Sequence, residues 1–89
     1  METVKSVSYI SEELCRFIQG NILASGVDIQ HDTILTNIGI DSFSVIEIIL
    51  FIERRFGVIL PDEYLIPENL KTVEALARCT HQQLQAGRA

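Results

Sequence analysis

The segment Ser42–Phe56 constrains the fold of this chain more than any other part of the sequence. It contains the most apolar run of the protein, Val45–Phe56, and its apolar residues recur at helical spacing. At about 100° per residue, one side of a helix collects a core-facing set. That set is Val45, Ile48, Ile49, Ile52 and Phe56.

A second apolar face lies beside the first. It holds Phe43, Ile46 and Leu50, together with Glu47 and Arg54. This is more apolar surface than one helix contact requires, and two explanations are open. Either the other helices cover both faces, or the second face is an exposed strip, rimmed by charge, that docks partner proteins.

The ends of this predicted helix are marked by local chemistry. Gly39 allows a turn, and Asp41 or Ser42 can cap the first turn. Gly57 ends the helix, and Arg54-Arg55 near that end suit the negative end of the helix dipole. We therefore expect a helix over Ser42–Phe56.

The rest of the chain predicts further helices and no strand. A first helix is expected over Ser8–Ser25, capped by Ser8 or Ser11 and ended at Ser25-Gly26. A last helix is expected from Val73 to about Gln85, capped by Thr72.

The segments between the long helices are predicted to be shorter and less regular. Pro61–Leu65 is expected to form one short helical turn that Pro67 stops. Asp32 or Thr33 is expected to start a turn in the long loop Val27–Asp41. The residues expected to line the core are Ile34, Leu35, Ile38, Ile49, Ile52, Phe56, Leu60 and Leu76. The prediction is an all-α four-helix bundle, with three main helices, one short helix and a long first loop, in one domain over 1–89 with an ordered core at about 5–85.

Composition narrows the class of protein. The chain has 89 residues, 12 acidic and 7 basic side chains, and a net charge of −5, which disfavours nucleic acid and suits partners with basic surfaces. The sequence predicts no signal peptide and no membrane span. We expect a cytoplasmic monomer in which Cys15 and Cys79 are free thiols, because their separation fits neither a CxxC motif nor a metal site.

The candidate catalytic residues have no partner residues in the sequence with which they could form an active site. Ser42 has no G-x-S-x-G context, and neither His31 nor His81 has a neighbour that suggests a catalytic triad. Asp28, His31 and Asp32 cluster in the loop without a further metal ligand. The sequence therefore predicts a protein that is not an enzyme and binds no metal.

Ser42 itself has two readings. A serine at a helix start can simply cap the helix. The same position favours a phosphate, because the helix dipole and its free N–H groups attract negative charge. Local physics leaves both uses of Ser42 open.

A resemblance covers nearly the whole chain. The segments Gly39–Phe43, Glu53–Val58, Leu60-Pro61 and Asn69–Ala77 resemble an acyl carrier protein, whose pattern is G-x-D-S-L followed by E-x-x-F and I/L-P. The resemblance implies a 4′-phosphopantetheine arm attached to Ser42 by a separate phosphopantetheinyl transferase, and intermediates held as thioesters on that arm.

The resemblance also implies roles for residues around Ser42. Asp41 would support attachment by placing negative charge near the cation that the transfer needs. Acyl-transferring or acyl-modifying enzymes would dock on the second helix, on a strip of Phe43, Ile46, Glu47 and Leu50. An acyl chain could enter between the helices.

Departures from the family pattern point away from general fatty acid synthesis. Phe43 replaces a leucine, Asn37 and Ser44 stand where acidic residues are common, and Arg54-Arg55 replace acidic residues late in the second helix. We expect a carrier of a specialised fatty acid, polyketide or related pathway. The alternatives are an aminoacyl or peptidyl carrier of a non-ribosomal peptide-type pathway, a helical interaction module in which Ser42 is only a cap, and a small hydrolase using Ser42.

Overall fold

The computed structural model describes residues 6–22 and 28–86. These residues form an all-α bundle, which confirms the predicted fold class. The four helices of this described part are α1 (Val7–Asn21), α2 (Ser42–Phe56), α3 (Pro67–Leu70) and α4 (Val73–Ala86). Short 3₁₀ turns at Leu35–Ile38 and Asp62–Tyr64 complete the chain path.

Helix α2 has the bounds that the sequence predicts. Asp41 caps its start, and Gly57 ends it with a left-handed φ of 71° while its N–H bonds to the Glu53 carbonyl. Ile48 and Ile52 are fully buried. The remaining members of the predicted core stripe, Val45, Ile49 and Phe56, are half-buried.

The start of α1 differs from the prediction. Ser6 is the cap, because its hydroxyl accepts the Tyr9 N–H at 3.1 Å. Ser8 lies inside the helix and is exposed, whereas Ser11 lies inside it and is buried. The helix ends at Asn21, and the predicted stop at Ser25-Gly26 falls outside the described residues.

The short helix lies later in the chain than predicted. The segment Pro61–Leu65 contains a 3₁₀ turn, as expected, but Pro67 begins α3 and does not stop a helix. Proline is favoured at the first helical position because its missing N–H would have no partner there. The prediction for Thr72 is confirmed, since its hydroxyl accepts the Ala75 N–H at 3.1 Å at the start of α4.

The core lies where α1 packs on α4 and α2. Its buried apolar residues come from all three long helices and from the connecting segments. They are Ile10, Leu14, Ile18, Leu35, Ile40, Ile48, Ile52, Leu60, Val73, Leu76, Ala77 and Cys79. Cys15 and Cys79 are free, and burial raises the pKa of both thiols.

The long first loop is fastened to the start of α4. The Leu35 N–H donates to the Lys71 carbonyl, the Glu74 N–H donates to the His31 carbonyl, and an antiparallel bridge pairs Ile34 with Thr72. The helical turn in this loop begins at Leu35, two or three residues later than predicted. Ile34 is 36% exposed, so its assignment to the core was wrong.

No helix of the described ranges combines the length and apolar character that crossing a bilayer requires.

Candidate functional site

A glycine turn places Ser42 at the surface. Gly39 adopts a left-handed φ of 89°, a conformation that costs a residue with a Cβ. Directly after the turn, Ile40 is buried, with its N–H bonded to the Leu35 carbonyl at 3.1 Å. The buried Ile40 therefore fixes the position of the chain, and Asp41 and Ser42, which follow it, lie at the surface directly beside the core.

Asp41, and not Ser42, caps helix α2. Its carboxylate accepts the Ser44 N–H at 2.9 Å. This backbone hydrogen bond, aided by the Ser44 hydroxyl, lowers the pKa of Asp41, which keeps the exposed carboxylate ionised. Ser42 is therefore not needed as the helix cap, because its neighbour Asp41 makes the capping hydrogen bond.

The Ser42 hydroxyl is exposed and is not used by the fold. Among the described residues, no hydrogen bond engages its side chain. Ser42 is the first residue of a 15-residue helix, where the aligned peptide dipoles give partial positive charge. A phosphodiester on this oxygen would lie in a favourable field and would displace no structural contact.

An open apolar groove of about 1000 Å³ begins beside Ser42. Val45, Ile46 and Ile49 of α2 form one wall. The opposite wall comes from the loop and from the region around α3. Among the described residues, the groove is lined by Ile34, Thr36, Ile40, Asp41, Ser42, Val45, Ile46, Ile49, Leu65, Pro67, Glu68, Leu70 and Lys71.

The predicted docking strip is exposed. Phe43 is 80% exposed, Ile46 53% and Leu50 44%, and Glu47 is also exposed. The other helices therefore do not cover the second apolar face of α2. An apolar surface of this kind, rimmed by charge, is typical of an interaction site.

The adjacent arginines of α2 have different surroundings. Arg55 donates to the Glu13 carboxylate at 3.2 Å and to the Tyr9 hydroxyl at 2.6 Å, and its guanidinium lies 5.6 Å from the centre of the Phe56 ring. Arg54 is exposed, and no residue of the described ranges forms a hydrogen bond or an ion pair with its guanidinium. Arg55 thus belongs to the α1–α2 contact, whereas Arg54 faces solvent.

The remaining candidate groups stay apart from Ser42. His31 lies 3.6 Å from a Glu12 carboxylate oxygen, and neither it nor His81 lines the groove beside Ser42. Within the described residues, no group of three or more His, Cys, Asp or Glu side chains could hold a metal ion.

Sequence reasoning missed two parts of the site. Ile40 was not assigned to the core, although an isoleucine directly after a turn-forming glycine in a polar loop is a usable signal. Glu68 and Lys71 were not assigned to the groove. Their presence depends on where α3 lies, which the sequence misplaced.

Comparison with known proteins supplies a family. A family model described as a phosphopantetheine attachment site matches residues 12–80. Aminoacyl carrier protein 2 of Bradyrhizobium diazoefficiens is 34% identical over 64 residues, which are 72% of this chain and 72% of that protein. Aminoacyl carrier protein 1 of the same organism is 31% identical over 72 residues, covering 81% of this chain and 78% of that protein.

Solved structures agree with the sequence relatives. A glycylated carrier protein complexed with glycine:[carrier protein] ligase of Bradyrhizobium japonicum matches with a TM-score of 0.66 and 26% identity, over 82% of this chain and 96% of that chain. A complex of the same ligase with its cognate carrier protein and an analogue of glycyl adenylate matches with a TM-score of 0.69 and 26% identity, over 86% and 97%.

Proposed function

We propose, from the premise that this chain belongs to the acyl carrier protein family, that it carries aminoacyl groups as thioesters on an arm attached to Ser42. Proteins of this family are not enzymes, and they bear 4′-phosphopantetheine as a covalent group. The observation that carries the assignment to Ser42 is its exposed hydroxyl, released from capping by Asp41.

The residues around Ser42 fit the attachment reaction. A phosphopantetheinyl transferase would supply the arm from coenzyme A, with the Ser42 oxygen as the acceptor. The lowered pKa of Asp41 keeps a negative charge beside that oxygen, where the transfer needs a divalent cation. The start of α2 then stabilises the phosphodiester through its dipole.

An aminoacyl cargo is supported by the names of the relatives and by local charge. Two sequence relatives are named aminoacyl carrier proteins, and a structural neighbour is glycylated. An aminoacyl thioester bears a cationic ammonium group. Asp41 and Glu68 both line the groove beside Ser42, and their carboxylates would attract that ammonium group.

An acyl cargo of a specialised fatty acid or polyketide pathway is the second candidate. The observation in its favour is the apolar wall of the groove, formed by Val45, Ile46 and Ile49. A hydrocarbon chain gains roughly 0.8 kcal/mol for each methylene group that it buries. The groove therefore suits an alkyl chain as well as the side chain of an apolar amino acid.

A loading experiment tests the proposed cargo. The protein is first converted to the phosphopantetheinylated form and then incubated with glycine, ATP and the B. japonicum glycine:[carrier protein] ligase. We expect intact mass spectrometry to show one glycyl group that hydroxylamine releases, as a thioester requires. A fully modified protein that takes no glycyl group, yet accepts an acyl group from an acyl-activating ligase, would contradict the aminoacyl proposal.

We also propose that partner enzymes dock on the strip of Phe43, Ile46, Glu47 and Leu50. Replacing Leu50 by glutamate should lower the rate of cargo loading, because it puts a charge into the apolar part of the contact. Circular dichroism should show unchanged helicity, since Leu50 is 44% exposed. A loss of helicity would assign Leu50 to the core and remove it from the docking strip.

A further inference from the structure

A second, smaller groove lies between α1 and α2. It has a volume of about 400 Å³ and is lined by Phe17, Asn21, Glu47, Leu50, Phe51 and Arg54. Phe17 and Phe51 stack with their ring centres 4.3 Å apart and their planes 13° from parallel. This α1–α2 groove shares Glu47 and Leu50 with the docking strip, so the exposed apolar face of α2 continues across to α1.

Opposite charges stand at the two ends of the α1–α2 groove. Glu47 and Arg54 are seven residues apart, so they lie on the same face of α2 and about 10.5 Å apart along its axis. Leu50 lies between them. Within the described part of the chain, neither charged side chain forms a hydrogen bond or an ion pair. Both charges are thus available to an outside partner.

The charges also give the groove a direction relative to Ser42. Glu47 follows Ser42 by five residues, whereas Arg54 is two further turns away. The neighbouring Arg55 adds less positive charge to this end of the groove, because its guanidinium is paired with the Glu13 carboxylate and donates to the Tyr9 hydroxyl. The surface is therefore negative near the attachment site and positive at its far end.

We infer that the α1–α2 groove is part of the docking surface for the enzyme that loads the cargo, and that this enzyme places an acidic group opposite Arg54. The inference rests on the proposed function. The same enzyme places a basic group opposite Glu47 and an apolar side chain over Leu50 and the stacked rings. A partner with a uniformly basic patch would bring a cation against Arg54 and would bind less well. Docking in the reverse direction would oppose like charges at both ends, so the charge pattern fixes the orientation that brings Ser42 to the active site.

A charge series at position 54 tests the inference. The probe is the B. japonicum glycine:[carrier protein] ligase, and the substrate is the phosphopantetheinylated protein with glycine and ATP. We expect kcat/KM to fall roughly threefold for Arg54→Gln, the size of one exposed ion pair, and about tenfold for Arg54→Glu, which adds repulsion. Arg54→Lys should stay close to the native value. The losses should appear in KM and should shrink as salt is raised from about 0.05 to 0.5 M.

A matched control separates local charge from net charge. Arg78→Glu makes the same change in net charge on α4, outside the α1–α2 groove, and it should leave kcat/KM near native. Loading of Arg54→Glu at the rate of Arg78→Glu would overturn the inference and leave the proposed function intact. A native protein that carries the arm and accepts no glycyl group, yet accepts an acyl group from an acyl-activating ligase, would refute the proposed function, and the inference would fall with it.

Discussion

Replacing Arg55 by methionine removes the polar contacts of the α1–α2 interface while keeping most of the side-chain volume. The guanidinium donates to Glu13 at 3.2 Å and to Tyr9 at 2.6 Å, and it lies over the rings of Tyr9 and Phe56 at 5.9 and 5.6 Å. The Glu13 side chain is only 16% exposed, so its charge is screened less than a fully solvated one. We expect Arg55→Met to destabilise the protein.

The magnitude follows from the exposure of the partners. The Arg55 side chain is 40% exposed, so the ion pair is worth no more than the 0.2–1 kcal/mol or so of a surface pair. The hydrogen bond to Tyr9 contributes about 1 kcal/mol, and the ring contacts contribute roughly 0.5–1 kcal/mol at a partly exposed site. These contributions share one ordered side chain, so we expect a net loss of about 1.5 kcal/mol, or a Tm lower by about 6–12 °C for a domain of this size.

Thermal and urea unfolding, followed by circular dichroism, measure this loss. Arg54→Met is the matched control, because it removes an adjacent arginine that forms no hydrogen bond or ion pair with the described residues. It should change stability by less than about 0.5 kcal/mol. Raising the salt concentration should narrow the difference between the two variants. Equal stability of the two variants would refute the reasoning that Arg55 is structural and Arg54 is free for partners.

Further predictions concern buried hydroxyls and acid stability. Ser11 and Thr80 are both buried, but only the Thr80 hydroxyl has a partner among the described residues, the Leu76 carbonyl at 2.9 Å. Ser11→Ala should therefore raise the free energy of unfolding, measured in urea, by about 1 kcal/mol, and Thr80→Val should lower it by a similar amount. A destabilised Ser11→Ala variant would show that the Ser11 hydroxyl has a hydrogen-bond partner in solution. For Asp41, the lowered folded-state pKa means that its stabilising effect is complete above the ordinary carboxyl pKa and is lost as the pH falls through the folded value. Asp41→Asn should reduce the dependence of the free energy of unfolding on pH in this acidic range. NMR titration of the Asp41 carboxyl should give a pKa below the usual range, and a normal pKa would contradict the capping hydrogen bond from the Ser44 N–H.

The sequence was most informative about α2. Its apolar period, the polar residues before it and Gly57 after it all agree on the same bounds, Ser42–Phe56. It could not choose the cap, because Asp41 and Ser42 both have suitable side chains. That choice depends on which side chain faces the Ser44 N–H, and it decides whether the serine hydroxyl is available.

The start of α1 and the position of α3 were harder to predict. The prediction named Ser8 or Ser11 as the cap, but Ser6 has an equally suitable side chain, and three-dimensional packing determines which serine lies before the first turn. Pro67 had two meanings, since proline both ends helices and begins them. The groove residues Glu68 and Lys71 were missed because they depend on that helix.

The loop before Ser42 has no period from which to predict burial. Ile34 and Ile40 are six residues apart in an irregular segment, yet Ile34 is exposed and Ile40 is buried. This difference depends on the bridge of Ile34 to Thr72 before α4 and on the turn at Gly39, neither of which the sequence pattern indicates. The role of Arg55 was equally hidden, because Glu13 is 42 residues away in sequence. Such long-range pairs follow from the packing of α1 on α2.

The attachment of 4′-phosphopantetheine to Ser42 is the central claim, and intact mass spectrometry tests it most directly. The native protein, Ser42→Ala and Ser44→Ala are each incubated with coenzyme A and a broad-specificity phosphopantetheinyl transferase. Ser44 is the matched control, because it is a second hydroxyl in the first turn of the same helix. We expect one phosphopantetheinyl mass increment on the native protein and on Ser44→Ala, and none on Ser42→Ala. The same increment on Ser42→Ala, or no increment on the native protein, would contradict the account.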